Sequence, residues 1–193
     1  MTSSQGDVQA KARAGLTSHG AAVFADIARA VGAHCAVVED EHARWFVYWK
    51  AAPEAGLRAL LLEVVAEGEQ LQRPVVTEVL KYVDDVEGAR WVDLLAGEDR
   101  EFAERRRREW ALIRELETRP RTLAGEIAAL SPWCQRRLIE RIADDVVLRD
   151  LAEHGVSRKI RHMARERMRL LRRAQQLLDA ATTLPGSPAA GLG

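Results

Sequence analysis

The sequence predicts an all-α fold assembled from short antiparallel helix pairs, and three observations predict it. Ala, Leu, Arg and Glu dominate the 193 residues, and all four are strong helix formers. Neither Asn-Gly nor Asp-Gly, the strongest short hairpin signals, occurs in the chain. Helix-capping residues, apolar stripes at spacings of three and four, and Gly or Pro stops recur from Ser18 to Leu178. The length fits one core, which the pattern places at residues 11–183, a single helical-repeat domain. Residues 1–10 and 184–193 read as disordered ends, the latter because Pro-Gly-Ser-Pro-Ala-Ala-Gly-Leu-Gly has turn residues and no periodicity.

Each element follows from its punctuation. Ser18 caps a helix burying Phe24, Ile27, Ala28 and Val31, with Gly32 as its end. Residues 35–49 are ambiguous. The run Trp45-Phe46-Val47-Tyr48-Trp49 has strand propensity, but Asp40 caps a helix running to Ala52, and a lone hairpin beside helices is marginal. Helix is preferred, with Trp45 and Trp49 together, one turn apart, and Phe46 and Tyr48 diverging from them; the segment is either central to the core, the favoured reading, or part of it is an interaction anchor. Pro53 opens the next helix, through Leu57, Leu61, Val64 and Val65 to Gly68. Pro74 opens another, through Val76, Val79 and Val83. Asp84 or Asp85 caps a helix with Trp91 and Leu95 inward and Gly97 as its stop. Asp99 begins a long charged helix striped with Phe102, Trp110, Ile113 and Leu116, broken at Arg119-Pro120.

The same grammar repeats. Thr122 leads a helix through Leu123, Ile127 and Leu130. Ser131-Pro132 starts one burying Cys134, Leu138 and Ile142. Asp144 or Asp145 caps Val147, Leu148, Leu151 and Ala152, and Ser157 caps a last helix with Ile160, Ala164, Leu171, Ala174 and Leu178 inward. Glu140-Arg141-Ile142 matches Glu166-Arg167-Met168 at an offset of 26 residues, and Val83-Asp84-Asp85-Val86 matches Ala143-Asp144-Asp145-Val146. Regular two-helix units over residues 74–178 are the expectation, since stacked pairs share a core that one pair cannot make.

Composition excludes several classes. Charged residues make 30% of the chain and apolar ones 47%, too apolar and too balanced for wholesale disorder. The longest apolar run, Trp45–Trp49, falls short of the roughly 20 residues of a membrane span, and no secretory leader is visible. Two cysteines, Cys35 and Cys134, make no disulfide framework, so a cytoplasmic location is expected, with Cys134 a buried thiol. The zero net charge hides a division. Residues 1–100 carry ten Lys or Arg against sixteen Asp or Glu, and residues 101–173 nineteen against twelve. Val156–Arg173 alone holds eight cations and one acid, Glu166. Such a helix binds phosphate or pairs with acids of its own fold.

Two resemblances rest on overlapping residues. Asp144, Leu148, Leu151, Ala152, Ile160, Arg161 and Ala164 fit the acidic cap, Leu-x-x-Leu-Ala stripe and Val/Ile-Arg-x-x-Ala second helix of bacterial short HEAT-type repeats, a resemblance carried mainly by residues 120–170. It implies a HEAT-like right-handed solenoid of short helix pairs whose concave face binds another macromolecule; the expectation is a non-catalytic scaffold or adaptor with a protein partner. Leu151-Ala152-Glu153-His154-Gly155-Val156-Ser157 also resembles a bacterial helix-turn-helix, which implies a recognition helix carrying Arg158, Lys159, Arg161 and Arg165 toward DNA. Ala152 stands three residues before Gly155, where such motifs usually have four. Trp133, Arg136 and Arg137 resemble the Trp-x-x-Arg-Arg helix start of HEAT-like alkylpurine DNA glycosylases, which implies a cleft that Trp91 and Trp110 would line.

No cofactor or catalytic residue is expected. Glu39-x-x-His42 has a di-iron spacing in one copy where two are needed. His34-Cys35 with His42, and His154 with His162, supply too few convergent ligands for zinc. There is neither a serine nucleophile elbow nor a glycine-rich phosphate loop. The candidate binding residues are therefore Trp133, Arg136, Arg137, Arg158, Lys159, Arg161 and Arg165.

Overall fold

The computed structural model describes residues 16–34, 36–68 and 70–182, so the two expected disordered ends, and Cys35, lie outside the described residues. Among the described residues the structure is all helical, with no strand. The α-helices are α1 (Ser18–Ala30), α2 (Glu41–Ala51), α3 (Arg58–Ala66), α4 (Gln72–Val79), α5 (Asp85–Val92), α6 (Gly97–Thr118), α7 (Pro132–Arg141), α8 (Asp145–His154) and α9 (Arg158–Thr182). Single 3-10 turns stand at Ala55–Leu57 and Ile127–Ala129. No described helix is long and apolar enough to cross a membrane. The chain divides between Ala111 and Leu112 into two compact units.

Side-chain caps set most helix starts. Asp40 accepts from the His42 N–H at 2.9 Å, Asp84 from Glu87 at 2.8 Å, Ser131 from Cys134 at 3.2 Å, and Asp144 from Val146 and Val147 at 2.9 and 3.1 Å. Each satisfies backbone donors that the first helical turn leaves without partners. The α1 cap is Thr17, one residue before the expected Ser18, accepting from Gly20 at 3.0 Å.

Several expected boundaries move. Pro53 does not open a helix. Glu54 is extended at ψ 105°, so the chain leaves α2, passes the 3-10 turn and re-enters helix only at Arg58. The helix at Pro74 starts two residues earlier and ends at Val79, although Val83 is still buried. Gly97 stops nothing, because α5 has already ended at Val92; its φ of +52°, a value glycine adopts without strain, stands at the first residue of α6. The helix expected after Thr122 is replaced by turns. Asp150 accepts from the Leu123 N–H at 2.6 Å and the Thr122 hydroxyl at 2.8 Å, while Gln135 Nε2 donates to the Ile127 and Leu130 carbonyls, both at 3.0 Å. Those tertiary bonds fix both ends of the stretch, at backbone groups that no helix of this length would satisfy itself.

The first unit packs α1 against α3 and α2, and α4 against α2, α3 and α5. Phe24, Ile27, Val47, Tyr48, Leu61 and Val79 fill its centre. Phe24 and Tyr48 meet edge-to-face with centroids 5.9 Å apart. The residues 35–49 are settled as helix from Glu41, but the buried face of α2 is Arg44, Val47, Tyr48 and Ala51. Trp49 and Phe46, each 47% exposed, stack on one another outside, and Lys50 lies over Phe46. The expected placing of Trp49 in the core is therefore wrong. The second unit packs α9 along α8 and α7, over Leu123, Ile127, Leu138, Leu148 and Leu151, with Cys134 buried as expected.

The repeat is not the expected pair. Helices α4, α5 and α6 begin at residues 72, 85 and 97, and α7, α8 and α9 at 132, 145 and 158, steps of 60, 60 and 61. Two short helices and a long one form each triplet, of 8, 8 and 22 residues and then 10, 10 and 25. The offset of 26 separates the first and third helices of one triplet, Pro132 from Arg158, rather than successive pairs.

Candidate functional site

All seven candidate binding residues fall in the second triplet, on α7 and α9. The ends at which these two helices begin are tied together by Gln135, a fully buried side chain whose Oε1 accepts from the Val156 N–H at 2.9 Å. Together with its two donated bonds, this fixes the short connection into α9. Nothing in the periodicity singles Gln135 out; its one signal is a polar residue on the apolar side of a helix.

The candidates divide by what they touch. Arg161 donates to the Gly155 carbonyl at 2.5 Å and Arg165 to the Ala152 carbonyl at 3.0 Å, so both close the C-terminus of α8. Arg137 pairs with Glu140 at 2.6 Å and lies over the half-buried Trp133 ring, 5.7 Å from its centroid. Arg136, Arg158 and Lys159 are exposed and have no ion pair or hydrogen bond among the described residues. The turn glycine serves space rather than chirality. Gly155 has φ −52°, and a Cβ there would stand 2.6 Å from the Leu151 carbonyl oxygen and 2.8 Å from Ile160 Cγ2. Trp91 and Trp110 are buried, and Trp91 borders a groove with Arg58, Leu62, Glu87 and Arg90.

Beyond the candidates, α9 carries a surface that the sequence hides. Ile160 and Ala164 are buried, but the expected inward stripe does not continue. Leu171 is half-buried and residues 172–180 are all exposed, including Ala174 and Leu178. Leu170 is 57% and Leu177 72% exposed. The reason is length. At 1.5 Å per residue α9 runs about 37 Å and its ten-residue neighbours about 15 Å. The start of α8 lies at Arg172, whose guanidinium bonds Asp145 at 3.0 Å. A groove of about 410 Å³ at the end of α7 opens onto the same side, lined by Ile139, Glu140, Met163, Glu166, Arg167 and Leu170.

The hydrogen bonds from Arg107 hold the Glu104 carboxyl below its usual range, and Arg121 does the same to Glu126. Burial, then the Glu78 carboxylate, raises Tyr82. These shifts arise in ion-pair clusters and a local hydrogen bond, not in a shared cleft. No group of three or more His, Cys, Asp or Glu side chains among the described residues could hold a metal ion. No family model, curated protein or solved structure matches the chain.

Proposed function

We propose that the chain is a non-catalytic interaction module, a scaffold or adaptor for a protein partner, with the far half of α9 as its working surface. The observation that carries this reading is the row of exposed leucines on a helix whose first turns are firmly packed. A contiguous apolar patch on a well-formed element marks association, because single scattered apolar residues need no such alignment. The resemblance of residues 120–170 to short HEAT-type repeats supports a HEAT-like solenoid architecture. A cytoplasmic setting accords with the cysteine usage.

A second reading, nucleic-acid binding, is favoured by Arg136, Arg158 and Lys159, which lie unpaired near the helix starts that Gln135 joins. One experiment separates the two. A photoreactive phenylalanine analogue is placed at position 177 in one variant and at 158 in another, and adducts are collected in the living source cell. The adaptor reading expects discrete protein adducts from 177 that vanish with Leu170→Asp. Adducts from 158 to nucleic acid, with none from 177, would replace it by the second reading.

A further inference from the structure

We infer that the occupant of the α9 surface is an acidic amphipathic helix of a partner protein, laid along the row Met163, Arg167, Leu170, Ala174 and Leu177; this rests on the reading of α9 as the working surface. The row advances by four and three residues alternately, the seam along which one helix takes another. Its first members line the groove beside Ile139 of α7, so the exposed leucines lie on the same side as α7 and continue its line past Arg141. A rod fits that step.

Charge sets the chemistry of the rod. Arg167 sits within the apolar row, half-buried, and its Nε is out of solvent with no hydrogen-bond partner. That Nε is closed to an occupant, but the rest of the guanidinium has no ion pair among the described residues, and a carboxylate on the occupant meets it with charge assistance. Arg173 and His162, also exposed and unpaired among the described residues, flank the row, whereas Glu140 and Glu166 are taken by Arg137 and Arg169. A second copy of α9 would bring eight cations and only two acids against the same surface, an unfavourable match. Residues 183–193 carry no acidic side chain.

The test uses the full chain and a fluorescent peptide of about 18 residues, five turns of helix, with a leucine row flanked by glutamates, and a control flanked by lysines. The glutamate peptide binds at about 10 µM, as expected of a small interface, and the lysine peptide does not. Leu177→Asp abolishes binding, and Arg167→Gln weakens it by about tenfold, with circular dichroism unchanged in both. Equal binding of the two peptides, or insensitivity to Arg167→Gln, overturns the acidic helix. So does Leu177-dependent binding to phosphatidylserine vesicles without peptide binding, or a concentration-dependent dimer lost in Leu177→Asp; either would leave the surface standing with another occupant. If Leu177→Asp changes peptide binding, vesicle binding and sedimentation not at all, both the inference and the working surface fall.

Discussion

The two long helices, α6 and α9, close their triplets in the same way and yet differ along their length. Helix α6 is buried at intervals to its end, through Ala103, Arg106, Trp110, Ile113 and Leu116, and its charges cancel to within one, six Arg against seven acids. Among the residues whose burial is described, helix α9 is buried only at Ile160 and Ala164, and the helix carries eight cations against two acids. In α6 most of the arginines are matched by acids, Arg105 having only the Phe102 ring. Arg106 bonds Glu109 at 2.9 Å, and Arg107 bonds both Glu104 and Asp85. In α9, Arg167 and Arg173 have no such partner among the described residues. Amphipathic periodicity in a helix therefore states that one face is apolar, not that the chain itself covers it.

Core truncation should break the comparison most sharply. Ile113→Ala in α6 is expected to cost about 2–5 kcal/mol, while Leu177→Ala in α9 should stay within about 0.5 kcal/mol. Denaturant unfolding of the two variants checks this, and similar losses would show that α9 is covered. Two tryptophans of the first unit make the same contrast: Trp91→Ala should cost about 3–5 kcal/mol and Trp49→Ala less than about 1 kcal/mol.

Next in size is the polar clamp. Gln135→Leu removes the partners of the Ile127 and Leu130 carbonyls and the Val156 N–H, and a loss of about 2–4 kcal/mol is expected from buried groups left without bonds. Gly155→Ala, which drives a methyl group onto the Leu151 carbonyl, should cost about 1–3 kcal/mol. Thermal melting of both variants tests whether the α8–α9 connection is as tightly determined as its contacts imply. A neutral Gly155→Ala would mean that the connection yields.

The smallest effect is electrostatic. Glu104 titrates below its unfolded value because Arg107 bonds its ionised form. Its contribution is complete above the ordinary glutamate pKa and is lost as pH falls through the lower, folded value. Stability measured from pH 6 downward should therefore fall less steeply in Glu104→Gln than in the parent chain. Identical slopes would show that the pair contributes nothing.

These contrasts also explain what was legible in the amino acids. Asp40, Asp84, Ser131 and Asp144 could be read as caps because a cap is a local bond between a side chain and backbone a few residues on. The stretch after Thr122 could not, because its backbone is satisfied by Asp150, 27 residues from Leu123, and by Gln135. Tyr48 rather than Trp49 faces the core because α1 supplies Phe24 as its neighbour, a tertiary choice that propensity does not contain. Among the candidate binding residues, basic character was visible, but the consumption of Arg161 and Arg165 by the α8 carbonyls was not. The exposed row on α9 was hidden for a different reason. Its spacing equals that of a core stripe, and only the shorter reach of α7 and α8 leaves it in solvent.

The most direct test of the uncovered half of α9 is the melting temperature of a Leu170→Asp, Leu177→Asp double variant of the full chain. Two carboxylates placed in water cost little, so the melting temperature should stay within about 2 °C of the parent, less than 1 kcal/mol for a chain of this size. Carboxylates forced against a packed neighbour would cost several kcal/mol. A fall of about 10 °C or more would contradict an exposed α9 and show that this row is part of the core.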